Sequence, residues 1–331
     1  MQIADFNIEG AFPAVITSPQ KLTYPAFLAA LEAHQEQFHQ CLLAQGALLF
    51  RGLPVANAQH FSEVVAALGL GRFVNYIGGD SPRDLVEKKV YTSTEAPPSL
   101  HIPLHQELSF IKNFPKHIYF FCELASPVGG ATVIGDARRI YQALAPEVRE
   151  RFQIKGLTYT SRYYHRGRVM QWVNRLQRSH KSWIEVFETT DKMAVEKHCI
   201  EHDFAWRWLA NDWLEIKQTR PAVHVHPLTQ EPVWFNQAHL YDFNPKLLGW
   251  QKYIGAKLFY LRRSTLLHEI QFADGSPVAR KDLYHILDVL QQHTVHYPWQ
   301  SGDVMVLDNI LTMHGRAPFS GKRRVLTAMT A

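Results

Sequence analysis

The sequence predicts an α+β domain built around a mostly antiparallel β-sandwich or barrel, with helices packed outside it. Three observations carry this expectation. β-prone runs are short, numerous and gathered after the first third of the chain. Helical stretches interrupt them without the regular alternation that a doubly wound sheet requires. The composition is ordinary for a globular chain: 331 residues, 46% hydrophobic and 20% charged. That length suits one large domain with a sizeable core, and no linker marks off a second.

Taken in order, Tyr24 to Gln45 reads as a helix with an apolar face through Phe27, Leu28, Leu31, Phe38 and Leu42, stopped by Gly46. Ala47 to Phe50 is a short apolar run, a buried strand, and Asn57 to Leu70 is helical again. Tyr76 to Pro98 holds Gly78, Gly79, Pro82, Pro97 and Pro98 and reads as a long ordered loop. Strands then dominate: Ile118 to Glu123, Ala131 to Ile134, Gly156 to Tyr164, Val233 to Phe235, Val304 to Leu307 and Val325 to Ala328. Helices are expected at Asp136 to Leu144, Pro146 to Phe152, Lys181 to His202 and Leu283 to His293. The stretch from about 166 to 220 reads as a mainly helical insertion within a single domain spanning 1–331.

Composition also excludes several classes. No apolar run reaches the roughly 18 to 20 residues of a membrane span. Met1 to Gly10 carries Asp5 and Glu9 and lacks a basic stretch followed by an apolar one, so a secretory signal is not expected and the cytoplasm is. Cys41, Cys122 and Cys199 are far apart and suggest inert thiols rather than disulfides or a cysteine zinc site. The net charge is a mild +5. Its densest cluster, Arg162, Arg166, Arg168, Arg175, Arg178 and Lys181 among Tyr163, Tyr164 and Trp172, is either a solvated segment or a polyanion- or protein-binding surface. The 18 histidines leave a large pool of metal ligands.

The sharpest chemical feature is Leu104-His105-Gln106-Glu107-Leu108-Ser109. On an extended strand His105 and Glu107 share a face, so one metal ion can take an imidazole nitrogen and a carboxylate oxygen. His314 follows a β-prone run. If it meets the pair in space, the three form a 2-His-1-carboxylate facial triad, a donor set that suits non-haem Fe(II) and also zinc. Arg323-Arg324 opens the last strand, and a buried guanidinium there offers a fork of donors to a carboxylate. Thr132, after Gly129-Gly130-Ala131, adds a hydroxyl. Triad, arginine and threonine together meet the needs of 2-oxoglutarate, whose far carboxylate is costly to bury without an anchor.

These motifs resemble the taurine and 2,4-D dioxygenase-like group of Fe(II)/2-oxoglutarate-dependent oxygenases, in its syringomycin-biosynthesis-type and clavaminate-synthase-like branch. The likeness runs through Gly46-Ala47-Leu48-Leu49-Phe50-Arg51-Gly52, Gly79-Asp80-Ser81-Pro82-Arg83, Tyr91-Thr92-Ser93-Thr94-Glu95, the His105 and Glu107 motif, Gly129-Gly130-Ala131-Thr132, Trp234-Phe235-Asn236-Gln237, His314-Gly315-Arg316 and Arg323-Arg324. It implies a double-stranded β-helix, or jelly-roll, core and Fe(II), with 2-oxoglutarate and O2 as co-substrates. It implies His105, Glu107 and His314 as catalytic iron ligands, and Thr132 with Arg324 on the co-substrate carboxylate, Arg323 being the fallback. Glu107 stands where Asp is commoner. Ala328 stands four residues past Arg324, where taurine-type enzymes carry a sulfonate-binding arginine, which argues against a sulfonate substrate.

On the substrate side, His101 matches a substrate-facing position. Arg83 is a candidate clamp for a substrate carboxylate, or else a brace for its loop. Asn236 is a candidate pocket residue, or else a packing one, and Trp183 to Phe187 reads as a cover or as plain core. The implied activity is hydroxylation of an unactivated C–H of an amino acid or amino-acyl group, free or tethered to a carrier protein, in specialised metabolism. Neither nucleic acid nor membrane is an expected partner, and the oligomeric state is left open. The alternatives are desaturation on the same site, a zinc-dependent hydrolase, and a non-catalytic binding relative.

Overall fold

Two sheets face one another across a hydrophobic layer, and the site lies between them. The structure is a computed structural model that describes residues 3–74, 85–87, 89–93, 96–165, 182–242, 244–251, 253–254 and 267–331. The larger sheet has eight strands in the order Asn7–Glu9, Ala14–Thr17, Ala47–Phe50, Val304–Asp308, His117–Leu124, Arg324–Thr330, Val90–Thr92 and Leu85–Glu87. Its pairs are antiparallel except Ala14–Thr17 with Ala47–Phe50. The smaller sheet runs Val295–Tyr297, Thr132–Asp136, Thr312–Arg316 and Ile102–His105, all antiparallel. Among the described residues the sheets do not close into a barrel, and the architecture is mixed α and β.

The period of two in a strand explains the layers. Within His117–Leu124, Ile118, Phe120 and Cys122 face inward and meet Met305, Leu307, Val325, Met329 and Ile134. Tyr119 and Phe121 face outward, onto Phe27, Leu31, Phe38, Leu42, Phe61 and Val64 of the N-terminal helices. A strand buried on both faces reads as a continuous apolar run, which is why Ile118 to Glu123 is so conspicuous in sequence. The outer face of the smaller sheet gives Leu104, Val133 and Met313 to a second core, under the helices Ala137–Ala143 and Arg280–Gln292. No helix among the described residues is long and apolar enough to cross a membrane.

Three elements differ from expectation. The first helix is two, Tyr24–Ala33 and Gln35–Gln45, because His34 leaves helical geometry at φ −118° and ψ 21°. Gly46 ends the second in the left-handed region at φ 78°, with its N–H on the Leu42 carbonyl. Part of the expected loop from Tyr76 to Pro98 is a hairpin, Leu85–Glu87 with Val90–Thr92, which docks on Arg324–Thr330 through the buried Val90. Residues 182–220 of the expected helical insertion hold the helices Trp183–Phe187 and Lys192–Glu201 but also the strands Ala205–Trp208 and Leu214–Arg220. Those strands join Leu157–Tyr163 and His268–Phe272 in a four-stranded antiparallel sheet. Their polar alternation, Leu-Glu-Ile-Lys-Gln-Thr, suits a strand with one buried face.

Candidate metal centre and adjoining anion pocket

The ladder of the smaller sheet assembles the centre. His105, last in Ile102–His105, pairs directly with His314 in Thr312–Arg316, and the ring centroids stand 4.5 Å apart. Glu107 lies two residues beyond His105, in a turn rather than on a strand, since the strand stops at His105. Its Oε2 is 3.6 Å from His314 Nε2. One ligand atom from each of the three residues lies within 4.8 Å of the others.

The electrostatics suit a cation. Desolvation, reinforced by the nearby His314, pushes His105 down to about 3, so its ring is neutral. Its Nδ1 is turned to the Pro103 carbonyl at 2.9 Å, which leaves Nε2 as the nitrogen that could meet a metal ion. His314 Nδ1 is buried with no hydrogen-bond partner. Imidazoles and one carboxylate, brought together and mostly enclosed, match the donor set of Fe(II) or Zn(II).

Side chains from the segment 234–239 grip the backbone of the ligand loop. His239 Nε2 lies 2.9 Å from the Leu104 carbonyl, and Gln237 Nε2 donates to the Gln106 carbonyl. Gln106 Nε2 donates in turn to the Trp234 carbonyl at 2.6 Å. Burial pushes His239 down to about 4, so this brace is neutral.

Beside the centre a cavity of about 40 Å³ is lined by Ser93, Ile102, His105, Phe120, Thr132, His314, Gly315, Arg316 and Arg323. Arg323 Nε donates to the Gly130 carbonyl at 2.8 Å, and its Nη1 reaches Ser93 Oγ at 3.4 Å. Its guanidinium and that of Arg316 both stand over the Phe319 ring, at 5.5 and 5.2 Å. Burial, with Arg316 adding repulsion, pushes Arg323 down to about 10. Arg316 donates to the carbonyls of Ala96, Pro97 and Leu100. Thr132 Oγ1 accepts from Trp299 Nε1 at 3.1 Å. A pocket that forces two guanidiniums together favours an anion between them.

Several expected residues fall elsewhere. Arg324 is not in the pocket. It is 53% exposed and pairs with Glu123 at 2.5 Å. Side chains alternate along this strand: Val325 and Met329 face the inner layer and Leu326 and Ala328 the outer core, so the fallback Arg323 takes the inward position and Arg324 the outward one. The four-residue step then reaches Thr327 rather than Ala328. Thr327 is buried and its Oγ1 has no hydrogen-bond partner. Neither residue is an arginine. His101 is exposed and lines a separate cleft of about 360 Å³ with His296 and Lys246, so it does not face the centre. Asn236 is fully buried, and both ends of its amide are used on main chain, at Ala222 O and Ala238 N, so it braces a turn instead of lining the pocket. Arg83 lies outside the described residues, as do Arg166 to Lys181 of the basic cluster. Arg162 of that cluster sits in a mostly buried ion pair with Glu215 at 2.8 Å. Ser93, Arg316 and Trp299 carried no expected role. Arg316, two residues past His314 on one strand, had a readable signal in the alternation of side chains.

Comparison with known proteins agrees with this geometry. The family model "Taurine catabolism dioxygenase TauD, TfdA family" matches residues 8–330. A clavaminate synthase-like protein of Arabidopsis thaliana is 29% identical over 328 residues, covering 96% of this chain and 93% of its own. The dapdiamide synthesis protein DdaC of Enterobacter agglomerans is 33% identical over 290 residues, covering 88% and 83%. PvcB of Pseudomonas aeruginosa superposes with a TM-score of 0.54 at 15% identity, over 99% of this chain and 92% of PvcB. PvcB is an Fe, alpha-ketoglutarate dependent oxygenase from an isonitrile synthetic pathway. With a His-Glu-His centre beside an arginine-lined pocket, and a family match over nearly its whole length, the chain belongs to the TauD/TfdA family of Fe(II)/2-oxoglutarate-dependent dioxygenases.

Proposed function

We propose that the chain is a single jelly-roll oxygenase domain that acts in the cytoplasm and hydroxylates an unactivated C–H of an amino acid or amino-acyl group, free or carrier-tethered. The observation that carries the oxygenase part is the triad opening onto the pocket of Arg323, Ser93 and Thr132. Support for a biosynthetic substrate comes from the 33% identity to the dapdiamide synthesis protein DdaC, and the lack of an arginine at either Thr327 or Ala328 argues against a sulfonate. In this reading His105, Glu107 and His314 hold the iron. Bound iron with 2-oxoglutarate supplies the activation of O2 that yields succinate, CO2 and an oxidised substrate.

The chain's own residues do the rest. Arg323 takes the far carboxylate of 2-oxoglutarate by charge-assisted hydrogen bonds, with the Ser93 and Thr132 hydroxyls beside it. Arg316, tied to three carbonyls, keeps its charge fixed near that anion. Phe120, against His314 at 5.3 Å, and Ile102 keep the wall apolar and help exclude water. The zinc-hydrolase alternative does not by itself explain the anion pocket beside the metal.

Two measurements test the reading. Anaerobic addition of Fe(II) and 2-oxoglutarate should give a weak visible charge-transfer band, and His105→Ala, Glu107→Ala and His314→Ala should each lose it along with succinate formation. Amino acids and their carrier thioesters should stimulate succinate release, with product gaining one oxygen from 18O2 or losing two hydrogens. No band with the wild type sinks the oxygenase reading, and no stimulation by any such compound sinks the substrate class.

A further inference from the structure

The strand Ile102–His105 stops before Glu107, so no strand ladder fixes the direction of the metal carboxylate. A side chain does so instead. Glu107 N–H donates to Asn309 Oδ1 at 2.8 Å, and Asn309 Nδ2 donates back to the Glu107 carbonyl at 2.9 Å. That two-point pairing is what a neighbouring strand residue would supply. The same Nδ2 donates to the Pro115 carbonyl at 2.8 Å, and the Asn309 backbone N–H donates to the Lys116 carbonyl at 2.8 Å. Asn309 is fully buried and both of its amide protons are committed. The grip is needed because Leu108 follows at φ 53°, a left-handed conformation that a bulky residue keeps only when its surroundings impose it.

The turn that carries Asn309 is itself held. Asp308 Oδ1 accepts from the N–H groups of Ile310 and Leu311 at 2.8 and 2.9 Å, and its Oδ2 lies 3.1 Å from His226 Nε2. His226 Nδ1 accepts from the N–H groups of Leu228 and Thr229, at 3.3 and 3.0 Å, so the proton sits on Nε2 and points at Asp308. From this turn the chain enters Thr312–Arg316 and delivers His314.

We propose that Asn309 is a positioning residue for the metal carboxylate, fixing the backbone of Glu107 from the turn that also supplies His314. The proposal rests on the reading of the triad as the iron site. Residues behind a metal's ligands change affinity by about 10- to 100-fold when lost. The test is titration of the metal-free protein with Mn(II), followed by electron paramagnetic resonance, together with the visible spectrum of the Co(II) form. Asn309→Ala and the nearly isosteric Asn309→Asp, which loses both donors, should weaken Mn(II) about 10- to 100-fold and shift the Co(II) bands, well below the melting temperature of each variant.

Asn244→Ala removes another fully buried asparagine, one that caps a short helix at Leu247 N. It should lower the melting temperature and leave Mn(II) affinity within about threefold. Folded Asn309 variants that bind Mn(II) within threefold of wild type overturn the proposal. So does failure of both to fold, which would make the residue structural. Glu107→Ala separates the two levels: unchanged Mn(II) affinity there overturns the triad reading itself.

Discussion

Arg323 is the residue whose chemistry is most exposed to test. Its guanidinium is enclosed, repelled by Arg316 and already tied to Gly130 and Ser93. Arg323→Ala should raise the dissociation constant of 2-oxoglutarate on the order of a hundredfold, since breaking an enclosed charge pair costs about 3 kcal/mol or more. Arg324→Ala removes a surface pair with Glu123, worth about 0 to 1 kcal/mol, and should leave that constant within about threefold. Calorimetric titration of both variants decides it, and the reverse ranking would return the anchor to Arg324. The adjacent arginines show why this part of the site was half legible. Residue type and spacing reach the pair, and the inward member follows from the alternation that turns Val325 and Met329 to the inner layer, but which face of the last strand is the inner one shows only once the sheets are placed. Asn309 was illegible for another reason. Its partner Glu107 is far away in the chain, and an asparagine in a turn ordinarily caps its own neighbours.

At the scale of elements, the pairing of Ile102–His105 with Thr312–Arg316 governs the centre. It is irregular between His314 and Arg316, and Gly315 occupies the irregularity. A Cβ there would stand 2.3 Å from the Ile102 carbonyl oxygen, a backbone atom that moves only if the strand moves. At Gly135, on the neighbouring strand, a Cβ would meet Leu104 Cδ1 at 2.5 Å, the end of a flexible side chain. Gly315→Ala should therefore cost about 3 kcal/mol and weaken metal binding, while Gly135→Ala should cost about 1 kcal/mol. Urea unfolding with Mn(II) titration checks both, and equal effects on metal affinity would remove the strand-displacement argument. Most strands were legible because burial on both faces makes them apolar runs. The hairpin Leu85–Glu87 with Val90–Thr92 was not, because its short strands sit among glycines and prolines that read as loop.

Across the whole molecule, three enclosed histidines set the response to acid. Desolvation pushes His105 down to about 3 and His117 and His239 down to about 4. The unfolded chain takes these protons near pH 6.5 and the native state refuses them, so stability falls as pH drops from about 6.5 towards 4. The slope is on the order of 4 kcal/mol per pH unit at its steepest, from about 1.4 kcal/mol for each ring. Melting curves of the metal-free protein between pH 7 and 4.5 should show the transition temperature falling steeply below pH 6. A transition temperature flat across that range would mean the rings titrate normally in the fold. The broad α+β class was legible from strand number and order. A sandwich of antiparallel strands was expected too, but which strands pair in which sheet was not legible, since that order depends on contacts between distant segments.

The direct opposition of His105 and His314 has a consequence for chain connectivity. The two imidazoles stand side by side, yet roughly 200 residues separate them along the chain, so a metal bound by both closes a very long covalent loop. One ion held by both would tie a strand from the first third of the chain to a strand near its end, across most of the intervening architecture. Closing so long a loop costs the unfolded chain more entropy than closing a local one. The centre can therefore form only after the ends of that loop have met, which makes metal capture a report on the completion of the fold.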